Sequence, residues 1–196
     1  IEALDEGAEC KISVIYREYC SKLKELQMID YDDQMVYAYV MLKKIPWLLE
    51  YFQELYPYIC VDEAQDTSKI QHAIIALLAA RTENLFMVGD EDQSIYGFRA
   101  AYPEALLEFE QRHRGAKVLL MEENFRSDAN IVAAADHFIQ KNTLRHEKHM
   151  RASRESVQQI KEIPVGTRKA QYAYLAKVAE GCTTEMAVLY REHECA

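Results

Sequence analysis

The sequence predicts an α/β protein in which parallel strands alternate with helices, on three observations. Short apolar, β-favouring runs occur at residues 58–61, 85–88, 117–121 and 186–190. Longer stretches with helical periodicity separate them. The first run ends abruptly in Asp62-Glu63 and the second in Gly89-Asp90, as buried strands do where an open sheet presents its carboxyl ends to a ligand. With 49% hydrophobic and 28% charged residues in a chain of 196, a packed core is attainable within one domain or parts of two.

The elements follow in order. Residues 11–27 place Ile12, Ile15, Tyr16, Tyr19, Leu23 and Leu26 on one face of a helix. Asp30, Asp32 and Asp33 mark a turn and can cap a second helix through about Lys44. Pro46 suits the first turn of a third, running to about Tyr56. After the strand at 58–61, Thr67 or Ser68 can cap a helix striped by Ile70, Ile74, Leu77 and Leu78. The strand at 85–88 leads through a loop rich in functional side chains to a helix from about Pro103 to Arg112, and 117–121 is a third strand. Past Asn124 the pattern restarts. Ser127 or Asp128 caps a helix carrying Ile131, Ala135, Phe138 and Ile139. Residues 141–154 are basic and irregular, 157–163 alternate like a strand, 168–180 are helical and 186–190 form a buried strand. No internal repeat or low-complexity segment interrupts this order.

The formal net charge of -9 argues against a basic module that coats phosphate backbones, while leaving room for a local groove. The five cysteines, Cys10, Cys20, Cys60, Cys182 and Cys195, are odd in number and include no CxxC pair. They read as free thiols in a reducing, cytoplasmic compartment. His146 and His149 lie among Arg145, Lys148 and Arg151, with no cysteine pair nearby to complete a zinc site; a solvated basic turn is the better reading. Lys141, Arg145, Lys148, Arg151 and Arg154 either touch a DNA backbone or form a solvated loop. The longest apolar run, 73–80, is far shorter than the roughly 20 residues of a membrane span, so no membrane partner is expected. Ile1 is not an initiator methionine, and we expect a piece of a longer chain.

Three motifs carry chemistry. In the first, Asp62-Glu63-Ala64-Gln65-Asp66 follows an apolar strand. Adjacent acids point in different directions, so Asp62 can hold a Mg²⁺ ion through its waters while Glu63 orients and deprotonates a water. Alone, the pair also fits a solvated strand end with a helix cap. The second motif, residues 89–100, combines the amide of Gln93 with Tyr96, Phe98 and Arg99. That mixture can link a phosphate to stacked bases, or form a polar turn with two core aromatics. In the third, Asn124-Phe125-Arg126-Ser127 sets an arginine beside an aromatic. It suits a phosphate and a stacked base, or a surface arginine with an inward phenylalanine.

Together, and in this order, the three motifs resemble motifs II, III and IV of the UvrD/Rep/PcrA helicases. Asp30-Tyr31-Asp32-Asp33 is similar to the family's Asp-Phe-Asp-Asp element, and Ala187-Val188-Leu189-Tyr190-Arg191 to a strand of its second motor domain. The resemblance covers nearly the whole chain. It implies partial RecA-like (P-loop NTPase) parallel sheets with flanking helices, in two incomplete motor domains. Residues 1–28 would end a helical inserted subdomain, 29–122 form the C-terminal half of the first motor domain, and 123–196 begin the second. It further implies ATP and Mg²⁺ as ligands. Asp62 and Glu63 would stand at the metal, with Glu63 activating water. Gln93 would sense the γ-phosphate, Arg126 would stabilise transition-state charge and Phe125 would stack on adenine, with Gln65 also near the nucleotide. Tyr31, Tyr96, Phe98 and Arg99 would line a single-strand path. Phe125 stands where the family usually has Tyr, and Phe98 where it has Trp; both keep a π-face. The implied parent is an ATP-dependent DNA helicase of repair or replication, moving 3′ to 5′ along single-stranded DNA towards duplex junctions.

No G-x-x-x-x-G-K-[ST] phosphate loop occurs, and the six glycines are scattered. The isolated chain is therefore expected to lack ATPase activity and to need N- and C-terminal portions of a parent helicase. A sheet without its phosphate-loop strand has a gap or unpaired edges, which invites self-association. Two other readings stay open: a subunit of a recombinational helicase–nuclease, and a truncated, non-catalytic nucleic-acid-binding or interaction module.

Overall fold

A computed structural model describes residues 11–97, 100–157 and 159–190. The chain forms two compact units, one from Ile1–Glu122 with Asp136–His149, the other from Glu123–Ala135 with Met150–Ala196.

The first unit begins with three helices, α1 (Ile12–Glu25), α2 (Tyr31–Lys44) and α3 (Pro46–Leu55). The Asp30 carboxylate accepts the Asp33 backbone N–H at 2.7 Å, supplying one of the bonds that the first helical turn cannot make for itself. The Tyr19 hydroxyl donates to the same carboxylate at 2.9 Å, so the cap of α2 also fastens α1. Asp32 and Asp33 in the first turn and Lys43 and Lys44 in the last complement the helix dipole. Helix α2 stops at Ile45, whose extended backbone is what a residue before proline prefers, and Pro46 opens α3.

A parallel strand–helix–strand unit follows: β1 (Ile59–Val61), α4 (Lys69–Ala79) and β2 (Leu85–Met87). Ile59 pairs with Leu85, Cys60 with Phe86 and Val61 with Met87. At the start of α4 the Ser68 N–H donates to the Gln71 side-chain oxygen at 2.7 Å, the reciprocal half of a capping box. Helices α2 and α3 both pack on α4. Gln53 donates to the Leu77 carbonyl at 2.8 Å, tying α3 to the last turn of α4. Leu42, Ala64, Ala79 and Ala105 are buried. The helix expected from Pro103 to Arg112 is broken at Glu108 into α5 (Glu104–Leu107) and α6 (Phe109–Arg112).

Residues 117–121 do not form the third strand that their composition suggests; Leu119 and Met121 are each 82% exposed. A strand is defined by the ladder it makes, and among the described residues none lies beside this segment. Among the described residues the sheet of this unit therefore has two strands, both of them edges.

The second unit is built on β3 (Glu123–Asp128) and β4 (Arg151–Arg154), again parallel, with Glu123 opposite Arg151 and Asp128 opposite Arg154. The register shifts between Asn124 and Asp128. Helix α7 (Ala129–Ile139) starts directly after β3, whose last residues are Ser127 and Asp128. Helix α8 (Arg168–Glu180) begins where the Thr167 hydroxyl accepts the Ala170 N–H at 3.2 Å. The strand expected at 157–163 is displaced to 151–154, inside the stretch read as irregular. Neither 157–163 nor 186–190 carries a strand among its described residues. The molecule is thus an α/β chain with two small parallel sheets and flanking helices. No helix among the described residues is long and apolar enough to cross a membrane.

Candidate functional site

The β1–β2 ladder continues into the loops beyond it. Val88 N–H donates to the Val61 carbonyl at 2.8 Å, and Ala64 N–H to the Val88 carbonyl at 2.9 Å. These bonds hold the turn after β1 against the turn after β2. Between them lie Asp62 and Glu63, both exposed. Glu63 has φ 49° and ψ 43°, a left-handed conformation that is costly for a residue with a Cβ and concentrates at functional turns. The sharp turn ends the strand. The Glu63 N–H donates to Asp62 Oδ1 at 2.9 Å.

Gln65 is the joint between the two loops. It is only 2% exposed, and a buried amide has to satisfy both ends. Its nitrogen donates to Glu63 Oε2 at 2.7 Å, and its side-chain oxygen accepts the Asp90 N–H at 3.0 Å. Its backbone carbonyl accepts the Ser94 hydroxyl at 3.2 Å. Gly89 makes room for it: a Cβ there would lie 2.7 Å from the Gln65 oxygen and 2.9 Å from Leu106 Cδ1. Thr67 closes the turn by donating to the Ala64 carbonyl at 2.6 Å. Its oxygen can then accept from His72 Nε2, also at 2.6 Å. Burial, then the nearby Arg112 charge, holds His72 below the usual histidine value. Asp66 Oδ1 is buried without a hydrogen-bond partner among the described residues, an acceptor that favours an added donor.

The loop after β2 carries three consecutive acids, Asp90, Glu91 and Asp92. They are clasped by the basic stretch that the sequence left as a DNA contact or a solvated loop. Arg145 forks onto Asp92, with Nε 2.9 Å from Oδ1 and a terminal nitrogen 2.7 Å from Oδ2. The Lys148 ammonium lies 2.7 Å from Asp90, 3.2 Å from Glu91 and 3.4 Å from Asp92, hydrogen-bonded to the first and paired in charge with all three. The His146 N–H donates to Glu91 at 2.8 Å. Arg145 and Lys148 are buried side chains, so neither is a solvated charge. Gln93 is exposed, and its side-chain nitrogen donates to Asp90 Oδ2 at 2.7 Å.

Burial alone would raise the carboxyl pKa values of Asp90 and Glu91. Lys148 and Gln93 at the first, and the His146 N–H and Lys148 at the second, outweigh it and hold both below their ordinary values of 3.8 and 4.5. Lys148 is opposed by burial but held above its ordinary 10.5 by Asp90, Glu91 and Asp92. The stability contributed by the acids is therefore complete above the ordinary carboxylate range and lost as pH falls through the lowered values. That of Lys148 is complete below 10.5 and lost as pH rises through the raised value.

In the second unit, Asn124 shapes the strand. Its side-chain oxygen accepts the N–H groups of Arg126 at 3.0 Å and Ser127 at 2.9 Å, which accounts for the shifted register. Strict alternation would send neighbours to opposite faces; here Phe125 and Arg126 are both exposed, Phe125 at 65%. Tyr31, the first residue of α2, is 85% exposed, and Tyr96 is 36% exposed. Phe98, Arg99 and Arg191 lie outside the described residues.

Asp62, Glu63, Gln65 and Gln93 are thus gathered on one side of the first unit by two neighbouring strand ends. No group of three or more His, Cys, Asp or Glu among the described residues is arranged to hold a metal by itself. Asp62 nevertheless suits Mg²⁺, which keeps several waters and needs only one or two carboxylates when phosphates complete its shell. Arg145, His146 and Lys148 are the residues that motif reading missed, and it named Asn124 without giving it a task. The signal for those three was present as charge complementarity between the 90–92 acids and the 145–148 bases.

A family model described as the UvrD/REP helicase N-terminal domain matches residues 4–114. An ATP-dependent DNA helicase PcrA of Staphylococcus epidermidis is 34% identical over 186 residues, 92% of this chain and 26% of the relative. A DNA helicase II of Rickettsia typhi is 38% identical over 163 residues, 83% of this chain and 25% of its own length. A PcrA of Staphylococcus aureus is 37% identical over 147 residues, 75% and 20% respectively. The chain spans about a quarter of the length of the curated relatives it matches.

Proposed function

Because the chain belongs to the UvrD/REP helicase family, we propose that it is the part of an ATP-dependent DNA helicase motor that carries the water-activating acid, the phosphate sensor and an arginine finger. The observation that carries this reading is the pairing of strand ends: Asp62-Glu63 and Gln93 emerge side by side, locked through Gln65 and Asp90. In a doubly wound or RecA-like sheet that edge is where a nucleotide lies.

In the proposed reaction Asp62 would hold Mg²⁺, with Glu63 beside it. The metal supplies charge neutralisation on the phosphates. Glu63 takes the proton of the attacking water, Gln93 faces the γ-phosphate, and Gln65 sets the distance between the loops that carry them. Arg126 balances charge on the transferring phosphoryl group and Phe125 offers its face to the adenine. Tyr31, Tyr96, Phe98 and Arg99 are proposed as the single-strand platform. Base stacking is worth about 1–3 kcal/mol per base without regard to sequence, which suits a motor that travels over any sequence. The RecA-like fold of the complete motor domains, 3′ to 5′ movement, a cytoplasmic setting and a role in DNA repair or replication belong to the same proposal.

The full-length protein is expected to hydrolyse ATP faster when single-stranded DNA is added, and to displace a strand from a 3′-tailed duplex but not from a 5′-tailed one. ATP turnover that ignores DNA would sink the motor reading. The 196-residue chain alone, whose first sheet has two strands with unpaired outer edges among the described residues, is expected to self-associate. A single monomeric species in light scattering would remove that expectation.

A further inference from the structure

Among the described residues, Lys148 is the only lysine or arginine buried as a whole residue, and no motif reading gives it a task. A buried ion pair seldom adds much net stability over apolar packing, because desolvation offsets attraction. What it does provide is geometry. The Lys148 ammonium sits on Asp90 Oδ1 at 2.7 Å, and the other oxygen of that carboxylate receives the Gln93 side-chain nitrogen at 2.7 Å. Arg145 holds the neighbouring Asp92 by a two-pronged contact, so the anchor beneath Asp90 is itself fixed. The Asp92 N–H adds a further bond to Asp90 Oδ1 at 3.1 Å.

We propose that Lys148 is a positioning residue for ATP hydrolysis: it fixes the Asp90 carboxylate, which fixes the side-chain amide of Gln93. The inference rests on the reading of Gln93 as the γ-phosphate sensor. Without the ammonium, Asp90 loses its counter-charge while Glu91 and Asp92 stay beside it, and its carboxylate turns to water or takes a proton. Gln93 then loses the acceptor that orients it. An amide that acts on a phosphate only in the transition state must be aimed beforehand, since reorganisation during reaction is what preorganised sites avoid. The same geometry withdraws Lys148 from DNA, because its ammonium is buried among three carboxylates.

The test uses the full-length protein with saturating single-stranded DNA. Lys148→Met is expected to lower kcat by about tenfold or more, with the KM for ATP changed by less than about threefold. In a Gln93→Ala background the same change is expected to lower kcat by less than about twofold, because residues acting through one another are not additive. The slope of DNA affinity against salt concentration should stay unchanged. Asp90→Asn, nearly isosteric, is expected to give the same signature and takes the place of Lys148→Met if that variant does not fold. Equal losses in both backgrounds would mean a purely structural role and overturn the inference, as would an unaltered kcat. A shallower salt slope would make Lys148 a backbone contact and also overturn it. Wild-type protein that does not hydrolyse ATP defeats the helicase reading and this inference together; a hydrolysing wild type with an unaffected Lys148→Met defeats this inference alone.

Discussion

Replacing Glu63 by glutamine in the full-length protein is expected to lower ATP turnover by roughly 100- to 10,000-fold, the range that a positioned general base contributes. Nucleotide affinity should change by less than about threefold. The substitution is informative because of what surrounds the side chain. Glu63 Oε2 receives a hydrogen bond from the buried Gln65 nitrogen, and that donor must keep an acceptor or be left unsatisfied. A glutamine at position 63 can meet it only by turning its carbonyl oxygen towards Gln65. Its NH₂ group then occupies the place of the other carboxylate oxygen, where it cannot take a proton from water. The left-handed turn at Glu63, the Asp62 contact through the backbone N–H and the Asp90 anchor through Gln65 all survive. Loss of kcat with binding retained, measured by steady-state turnover and by titration of a fluorescent nucleotide, isolates proton transfer. Near-normal turnover would remove Glu63 from the role of base.

The local features of the fold were legible because their causes are local. Asp30 caps α2 through a residue three positions away, Pro46 begins α3, and the abrupt change from apolar to acidic after Val61 and Val88 marks where β1 and β2 give way to loops. What was illegible depends on partners distant in sequence. Arg151-Ala152-Ser153-Arg154 has no apolar alternation, yet it forms β4 because β3 offers it a ladder. Residues 117–121 have the composition of a strand and no neighbouring strand among the described residues. Arg145 and Lys148 read as a solvated basic turn since their partners lie 53 and 58 positions away. At the site, the motif named Gln65 without revealing that both ends of its amide are engaged within the protein. Residue type was readable there; the hydrogen-bond partners were not.

Arg126→Ala should reduce kcat in the full-length protein by about 1,000-fold or more, the contribution of an arginine finger to phosphoryl transfer. The structural cost should be small, for a reason visible in β3. The main chain of this residue is held from both sides: its N–H donates to the side-chain oxygen of Asn124 at 3.0 Å, and its carbonyl accepts from the Arg154 guanidinium at 3.0 Å. The strand is pinned whatever side chain is carried, and an exposed side chain contributes little to the core. Arg126→Lys keeps the charge and loses the planar fork, so it should fall between wild type and alanine. Phe125→Ala, one residue away on the same exposed stretch, should act differently. Stacking on adenine is available before and during reaction, so its loss raises the KM for ATP and leaves kcat nearly intact. The two neighbours thus separate binding from chemistry in one experiment. A kcat loss below about tenfold for Arg126→Ala, with the thermal midpoint unchanged, would mean that the guanidinium never meets the transferring phosphoryl group.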